Sequence, residues 1–138
     1  MIFVDSNVII DVLDRDPKWY DWSVSQMISA AGLGKVVTNH VVVAETAPHY
    51  GSLSEFIARL DEMTIEIELL SDEAAYAAGI AFLEYRRRSM NRQSVLPDFL
   101  IGGHANTLGA SILTRDPRIY RTYFPSVPLI TPTKDEND

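Results

Sequence analysis

Short apolar runs alternate with stretches of helical periodicity from one end of the chain to the other. Met1-Ile-Phe-Val4 is a partly β-branched run that predicts a buried strand, and Val8-Ile-Ile-Asp-Val-Leu13 predicts a helix with Ser6 or Asn7 as its cap. Asp16-Pro17 predicts a second helix start. Trp19, Trp22, Val24, Met27, Ile28 and Ala31 follow at roughly helical spacing, and Gly32 and Gly34 end the run. Lys35-Val-Val-Thr38 reads as the second strand, and a helix from Asn39 through Ala47 is ended by Pro48.

The same alternation continues. Ser52 or Ser54 opens a helix to about Glu62, and Thr64-Ile-Glu-Ile-Glu-Leu69 alternates as a strand with one wet face. Ser71-Asp-Glu opens a long helix with Ala74, Ala75, Ala78, Ala81, Phe82 and Tyr85 as its buried stripe. Pro97-Asp98 begins a helix through Ala105, with Gly109 just past its end. Ala110 to Thr114 reads as a strand, Asp116-Pro117 as a helical start with Ile119, Tyr120 and Tyr123, and Val127 to Ile130 as a last strand. Such alternation implies an α/β protein whose mainly parallel sheet is covered on both faces. Arg-Asp-Pro occurs at 15–17 and again at 115–117, most simply as two similar helix starts.

A chain of 138 residues with 46% hydrophobic content is expected to form one domain, 1–131, followed by a polar tail, 132–138. The absence of cysteine excludes disulfides, zinc-thiolate sites and thiol nucleophiles. The first acid comes at Asp5, which does not suit a signal peptide, and no apolar stretch reaches the ~18 residues of a membrane span. A soluble cytoplasmic protein is expected. The formal net charge of −7 argues against broad affinity for nucleic acid. Basic residues nevertheless cluster, as Arg86, Arg87, Arg88 and Arg92 and as Arg115, Arg118 and Arg121.

Four acids stand against apolar runs: Asp5 after Met1–Val4, Glu45 after Val41-Val-Val-Ala44, Asp98 before Phe99-Leu-Ile101, and Asp116 after Ile112-Leu-Thr-Arg115. Carboxylates gathered in one cleft repel by about 4 kcal/mol per close pair at an effective dielectric of about 20, so they protonate, separate or bind a cation. Hard oxygen ligands suit Mg²⁺ or Mn²⁺. Asp5, Asp98 and Asp116 read equally well as helix caps. Glu45 fits that reading poorly, because Glu is rarely buried without a partner. Ser6, Asn7 and Thr114 adjoin the acids and are suited to bonding a ligand or to capping.

Val4-Asp-Ser-Asn-Val-Ile-Ile10, Val43-Ala-Glu45, Leu96-Pro-Asp-Phe-Leu-Ile-Gly-Gly-His-Ala105 and Leu113-Thr-Arg-Asp-Pro-Arg-Ile-Tyr120, in that order, resemble the motifs of the PIN-domain nucleases. The likeness is strongest to the small VapC-type ribonuclease toxins of toxin–antitoxin pairs, and it spans almost the whole chain. It implies a three-layer α/β/α sandwich around a mainly parallel sheet of about five strands. It further implies hydrolysis of RNA phosphodiester bonds assisted by Mg²⁺ or Mn²⁺, a cognate VapB-like antitoxin, and a homodimer. The family's acidic positions map onto Asp5, Glu45, Asp98 and Asp116. Asp5, Asp98 and Asp116 would be direct or water-mediated metal ligands, and Glu45 would orient or deprotonate the attacking water. The accompanying hydroxyl or amide maps onto Ser6 or Asn7 and onto Thr114. Small residues at Gly102-Gly103 are expected to let their helix approach the sheet.

Arg86, Arg87, Arg88 and Arg92 are suited to RNA phosphates, or to complementing a helix dipole. Arg115 and Arg118, beside Asp116, are better placed for phosphate, or simply balance the acids. Two other classes compete: a different α/β phosphoryl-transfer domain, and a non-catalytic RNA-binding scaffold. The first is disfavoured because Asp5-Ser-Asn7 lacks a second Asp two residues on, and because Lys134 of the tail is the only lysine after the late strands.

Overall fold

The structure is a computed structural model that describes residues 1–89 and 95–137. Among these residues five strands form one sheet in the order β3-β2-β1-β4-β5, every pair parallel. The strands are β1 (Ile2–Val4), β2 (Val36–Thr38), β3 (Ile65–Ile67), β4 (Ser111–Leu113) and β5 (Leu129–Ile130). The helices are α1 (Ser6–Asp14), α2 (Tyr20–Leu33), α3 (His40–Thr46), α4 (Leu53–Glu62), α5 (Asp72–Arg88), α6 (Leu96–Leu108), α7 (Arg118–Tyr123) and α8 (Lys134–Asn137). A 3-10 turn, Ala47–His49, continues α3 around Pro48.

Successive strand residues point to opposite faces, yet all of β1 and all of β2 are buried, so both faces of the central sheet are covered. The expected three-layer α/β/α arrangement is what the chain adopts. Edge strand β3 keeps the expected wet face, where Lys35 pairs with Glu68 at 2.7 Å. Full burial of Phe3, Val4, Ile112, Leu113 and Phe99 builds the core, each contributing roughly 1.5–3 kcal/mol.

From β1 the chain winds one way through β2 and β3, then crosses back to β4 and β5. The reversal between β1 and β4 opens a crevice at the strands' carboxyl ends, where such sheets take ligands. Val4 is followed there by Asp5, whose N–H donates to Leu113 O at 3.0 Å, and Leu113 by Thr114.

Several local expectations need correction. Asp5, not Ser6 or Asn7, is the N-cap of α1. Asp16 does open the second helical region, its Oδ1 accepting the Lys18 and Trp19 N–H groups, both at 2.9 Å, but α2 itself starts at Tyr20. Gly102 and Gly103 seat α6 against other helices and not against the sheet. A Cβ on Gly102 would collide with the Phe124 ring, and one on Gly103 would lie 2.9 Å from Ala78 Cβ and 3.0 Å from the Ala74 carbonyl oxygen. Gly109 ends α6 in the left-handed conformation, with φ 67°. The polar tail carries a turn, α8, in which Thr133 and Glu136 cap one another.

Candidate active site

Asp5 is the deepest of the four acids, 4% exposed. Its Oδ1 accepts from the Ser6 N–H at 2.7 Å and, at 3.4 Å, from the Ser6 hydroxyl. Its Oδ2 accepts from the Thr114 hydroxyl at 2.8 Å and the Tyr120 hydroxyl at 2.9 Å. Burial raises its pKa, and the bonds from Thr114, Tyr120 and Ser6 oppose the rise by favouring the ionised form.

Thr114 uses its hydroxyl in full. It gives its proton to Asp5 and accepts from Asn7 Nδ2 and from the Asp116 N–H, each at 3.1 Å. Asn7 Oδ1 in turn accepts the Arg115 N–H at 3.0 Å. Asn7 and Thr114 thus bind the start of α1 to the loop after β4, while Ser6 and Thr114 bond Asp5 directly.

Asp98 lies half-buried in the first turn of α6, but it is not the cap. Val95 occupies that position and makes no side-chain cap bond. Burial, then the charges of Asp5, Glu45 and Asp116, push the Asp98 carboxyl up to about 7, with Arg118 opposing. Among the described residues none donates a hydrogen bond to its carboxylate.

Glu45 corrects an expectation, because the apolar run before it does not bury it. Val42 and Thr46 take the inner positions of α3 and leave Glu45 exposed. Its carboxylate end still belongs to the cleft. Loss of water and the charge of Asp5 raise its pKa, while a bond from Ser6 lowers it.

Asp116 is exposed and held from both sides by Arg118, with Nε to Oδ1 and Nη2 to Oδ2 each at 2.8 Å. That bond is the main reason its pKa is lowered. It does not cap α7, whose cap position is Pro117 with no side-chain bond. The two Arg-Asp-Pro repeats therefore differ in emphasis: Asp16 bonds two backbone N–H groups, and Asp116 is held chiefly by a guanidinium. Of the three aspartates read equally as caps, only Asp5 caps a helix.

The four acids come from four separate segments and share one electrostatic field. Among the described residues, however, no three of His, Asp and Glu are grouped closely enough to hold an ion as they stand. Asp5 is enclosed by donors and Asp116 is occupied by Arg118. The donor set still fits a hydrated Mg²⁺ or Mn²⁺, which takes one or two carboxylates and keeps its waters. The repulsion that lifts Asp98 to about 7 is what such a cation relieves.

Arg115 has a partner the sequence did not suggest. Its Nε and Nη2 grip the buried Asp11 at 2.6 and 2.8 Å, and its guanidinium lies 5.1 Å from the Trp19 ring centre. The Ser23 hydroxyl completes Asp11 at 2.7 Å. Asp11 also sits within an apolar run, so that criterion alone does not separate a site acid from a structural one. Arg86, Arg87 and Arg88 form the last turn of α5. Because Tyr85 meets Phe99 and Ala78 meets Gly103, α5 and α6 run antiparallel, and these arginines stand level with Asp98. Arg88 bonds Glu84 at 2.9 Å. Arg92 lies outside the described residues.

Tyr120 and the His104–Asn39 pair were not legible as site residues. A buried phenol needs a partner, which was the available signal for Tyr120. Asn39 caps α3 through Oδ1 and meets His104 Nδ1 with Nδ2 at 3.1 Å, tying the helix of Glu45 to the helix of Asp98.

The PIN domain family model matches residues 2–125. The chain belongs to the PIN domain family. No curated protein sequence matches it. This PIN domain is similar in fold to VapBC2 from Rickettsia felis bound to a DNA fragment from their promoter, with 19% identity, TM-score 0.71, and 95% of this chain and 98% of that one covered. FitAcB from Neisseria gonorrhoeae shows 17% identity and TM-score 0.68, over 94% and 96%. Mycobacterium tuberculosis VapC20, a Sarcin-Ricin loop cleaving toxin, shows 15% identity and TM-score 0.62, over 88% and 95%.

Proposed function

We propose that this PIN domain is an endoribonuclease dependent on Mg²⁺ or Mn²⁺, and the toxin of a VapBC-type pair. The observation that carries the reading is Asp98, pushed up to about 7 by burial and by the charges of Asp5, Glu45 and Asp116 at the sheet's switch point. Isolated caps do not load one another in this way.

Asp5 and Asp98 would hold the ion, with Asp116 as the third anchor. When bound, the ion supplies an acidified water and positive charge against the phosphate. Glu45, with its raised pKa, is the acceptor for the attacking water's proton. Ser6, Asn7, Thr114 and Tyr120 keep Asp5 in place. Arg118 and the end of α5, Arg86 to Arg88, supply the local positive charge for RNA phosphates that the net charge of −7 lacks.

The likeness to structures of toxin–antitoxin complexes supports a VapB-like antitoxin as partner. Ile28, Leu53, Ile57, Tyr76 and Ile80 are each more than half exposed in a single copy, which supports burial against an antitoxin or in a homodimer. Among the described residues no helix is long and apolar enough to cross a membrane, in keeping with a cytoplasmic site of action.

The test is cleavage of RNA by the purified chain with Mg²⁺, Mn²⁺ or chelator, beside Asp98→Asn, which keeps the side chain's shape. Cleavage that needs the cation and is lost in the variant is expected. Equal cleavage by parent and variant would sink the metal site. A parent free of copurifying protein that never cuts RNA would favour the scaffold reading.

A further inference from the structure

Two arginines flank Asp116, and they are held very differently. Arg115 is locked on the buried Asp11, its own side chain 26% exposed. Arg118 is 85% exposed and the Asp116 it grips is 52% exposed. An ion pair in so much water is weak and easily exchanged. Both oxygens of Asp116 nonetheless accept from the guanidinium, so a cation competes with its charge and its two bonds for this carboxylate. The field of Arg118 also reaches Asp98, which places the guanidinium at the mouth of the acidic cleft. Its planar fork suits the two oxygens of a phosphate as well as those of a carboxylate.

We propose that Arg118 is an exchangeable clamp: it holds Asp116 while the cation is absent, and passes its fork to a non-bridging pair of RNA phosphate oxygens when the cation takes Asp116. The inference rests on reading the site as a metal-dependent ribonuclease. It makes cation and RNA mutually supportive. RNA that draws Arg118 away frees Asp116 for the cation, and the cation frees Arg118 for RNA, by the same factor.

The test titrates Mn²⁺ without RNA, reading free Mn²⁺ by electron paramagnetic resonance, for the parent, Arg118→Ala and Arg118→Lys. Both variants should bind Mn²⁺ several-fold more tightly than the parent, because neither can occupy both oxygens of Asp116 with a fork. With saturating Mn²⁺, Arg118→Ala should raise KM for a short RNA about tenfold and change kcat less, as loss of a phosphate contact does. Arg118→Lys should recover part of that loss.

If Arg118→Lys binds Mn²⁺ as weakly as the parent, charge and not occupation governs the site and the exchange is overturned. An unchanged KM in Arg118→Ala overturns the transfer to phosphate. A parent that binds no Mn²⁺ sinks the metal-site reading and this inference together, whereas equal Mn²⁺ affinity in all three proteins sinks this inference alone.

Discussion

Tyr120 donates its hydroxyl to Asp5 Oδ2 at 2.9 Å, joining a strand end to a helix that lies 115 residues later in the chain. The phenol is 1% exposed, so neither partner of the bond has water as a substitute. Burial and the nearby acid of Asp5 push its own pKa well above the ordinary tyrosine range, so it remains a donor at every relevant pH.

Tyr120→Phe removes that donor while keeping the ring. A buried bond to a charged group contributes about 1.5–3 kcal/mol, and a loss of that size is expected in urea unfolding. Cleavage should fall as well, because Asp5 Oδ2 is then oriented by Thr114 alone. A variant within about 0.5 kcal/mol of the parent would show the bond to be incidental.

Arg115→Ala removes the ion-pair partner of Asp11, which is 1% exposed in the parent. Breaking one side of such a pair costs about 3–5 kcal/mol, more than the pair itself contributes. The double variant Asp11→Leu with Arg115→Met should regain much of the loss, measured by chemical denaturation. If the double variant is no more stable than Arg115→Ala, the cost lies in the lost Trp19 contact and not in the stranded charge.

Two glycines should respond with opposite signs. Gly103→Ala forces a Cβ against Ala78 and the Ala74 carbonyl, and overpacking of this kind costs about 1–3 kcal/mol. Gly79, exposed in the middle of α5, has nothing within 4 Å of an added Cβ. Gly79→Ala should therefore stabilise by about 0.5–1 kcal/mol through helix propensity. Melting temperatures that move the same way in both variants would contradict the α5–α6 packing.

The raised pKa of Asp98 has a definite sign in stability. Its folded value of about 7 exceeds the ordinary 3.8, so the folded state binds the extra proton between those values. Unfolding free energy then falls as pH rises from about 4 to about 7. His104, lowered by burial, acts in reverse: the unfolded state takes its proton first, and stability is lost as pH falls below about 6.5. Asp98→Asn in chelator isolates the first effect, because His104 is common to both proteins. Its advantage over the parent should be near zero at pH 4 and grow to about 1 kcal/mol by pH 7.5, after discounting for the half-exposed site. An advantage independent of pH would mean that repulsion among the acids is not its source.

Much of the fold was legible in the sequence, because strand and helix periodicity is local. Every strand and the helices from α1 to α7 fall where the apolar pattern predicts them, within a few residues. Only the burial of Glu45 was misjudged, because four apolar neighbours say nothing of which side of a seven-residue helix faces in. The glycine pair of α6 was seen as a close approach, but its partners, Phe124 and Ala78, are distant in sequence.

The sequence by itself determined the alternating α/β order, the four acids and their chain positions, and the small residues that α6 requires, since each rests on residue type and spacing. Only the tertiary structure decided what each charge faces. Asp5 caps a helix and is ringed by hydroxyls, Asp11 holds Arg115, Asp16 bonds backbone, and Asp116 holds Arg118. These four acids have similar local surroundings and different fates, because a carboxylate's pKa and reach depend on donors and charges within a few ångströms. For Asp5 and Asp11 the parallel sheet brings those groups, Thr114, Tyr120 and Arg115, from about a hundred residues away, whereas Asp16 and Asp116 meet partners within three residues that the local backbone turns toward them.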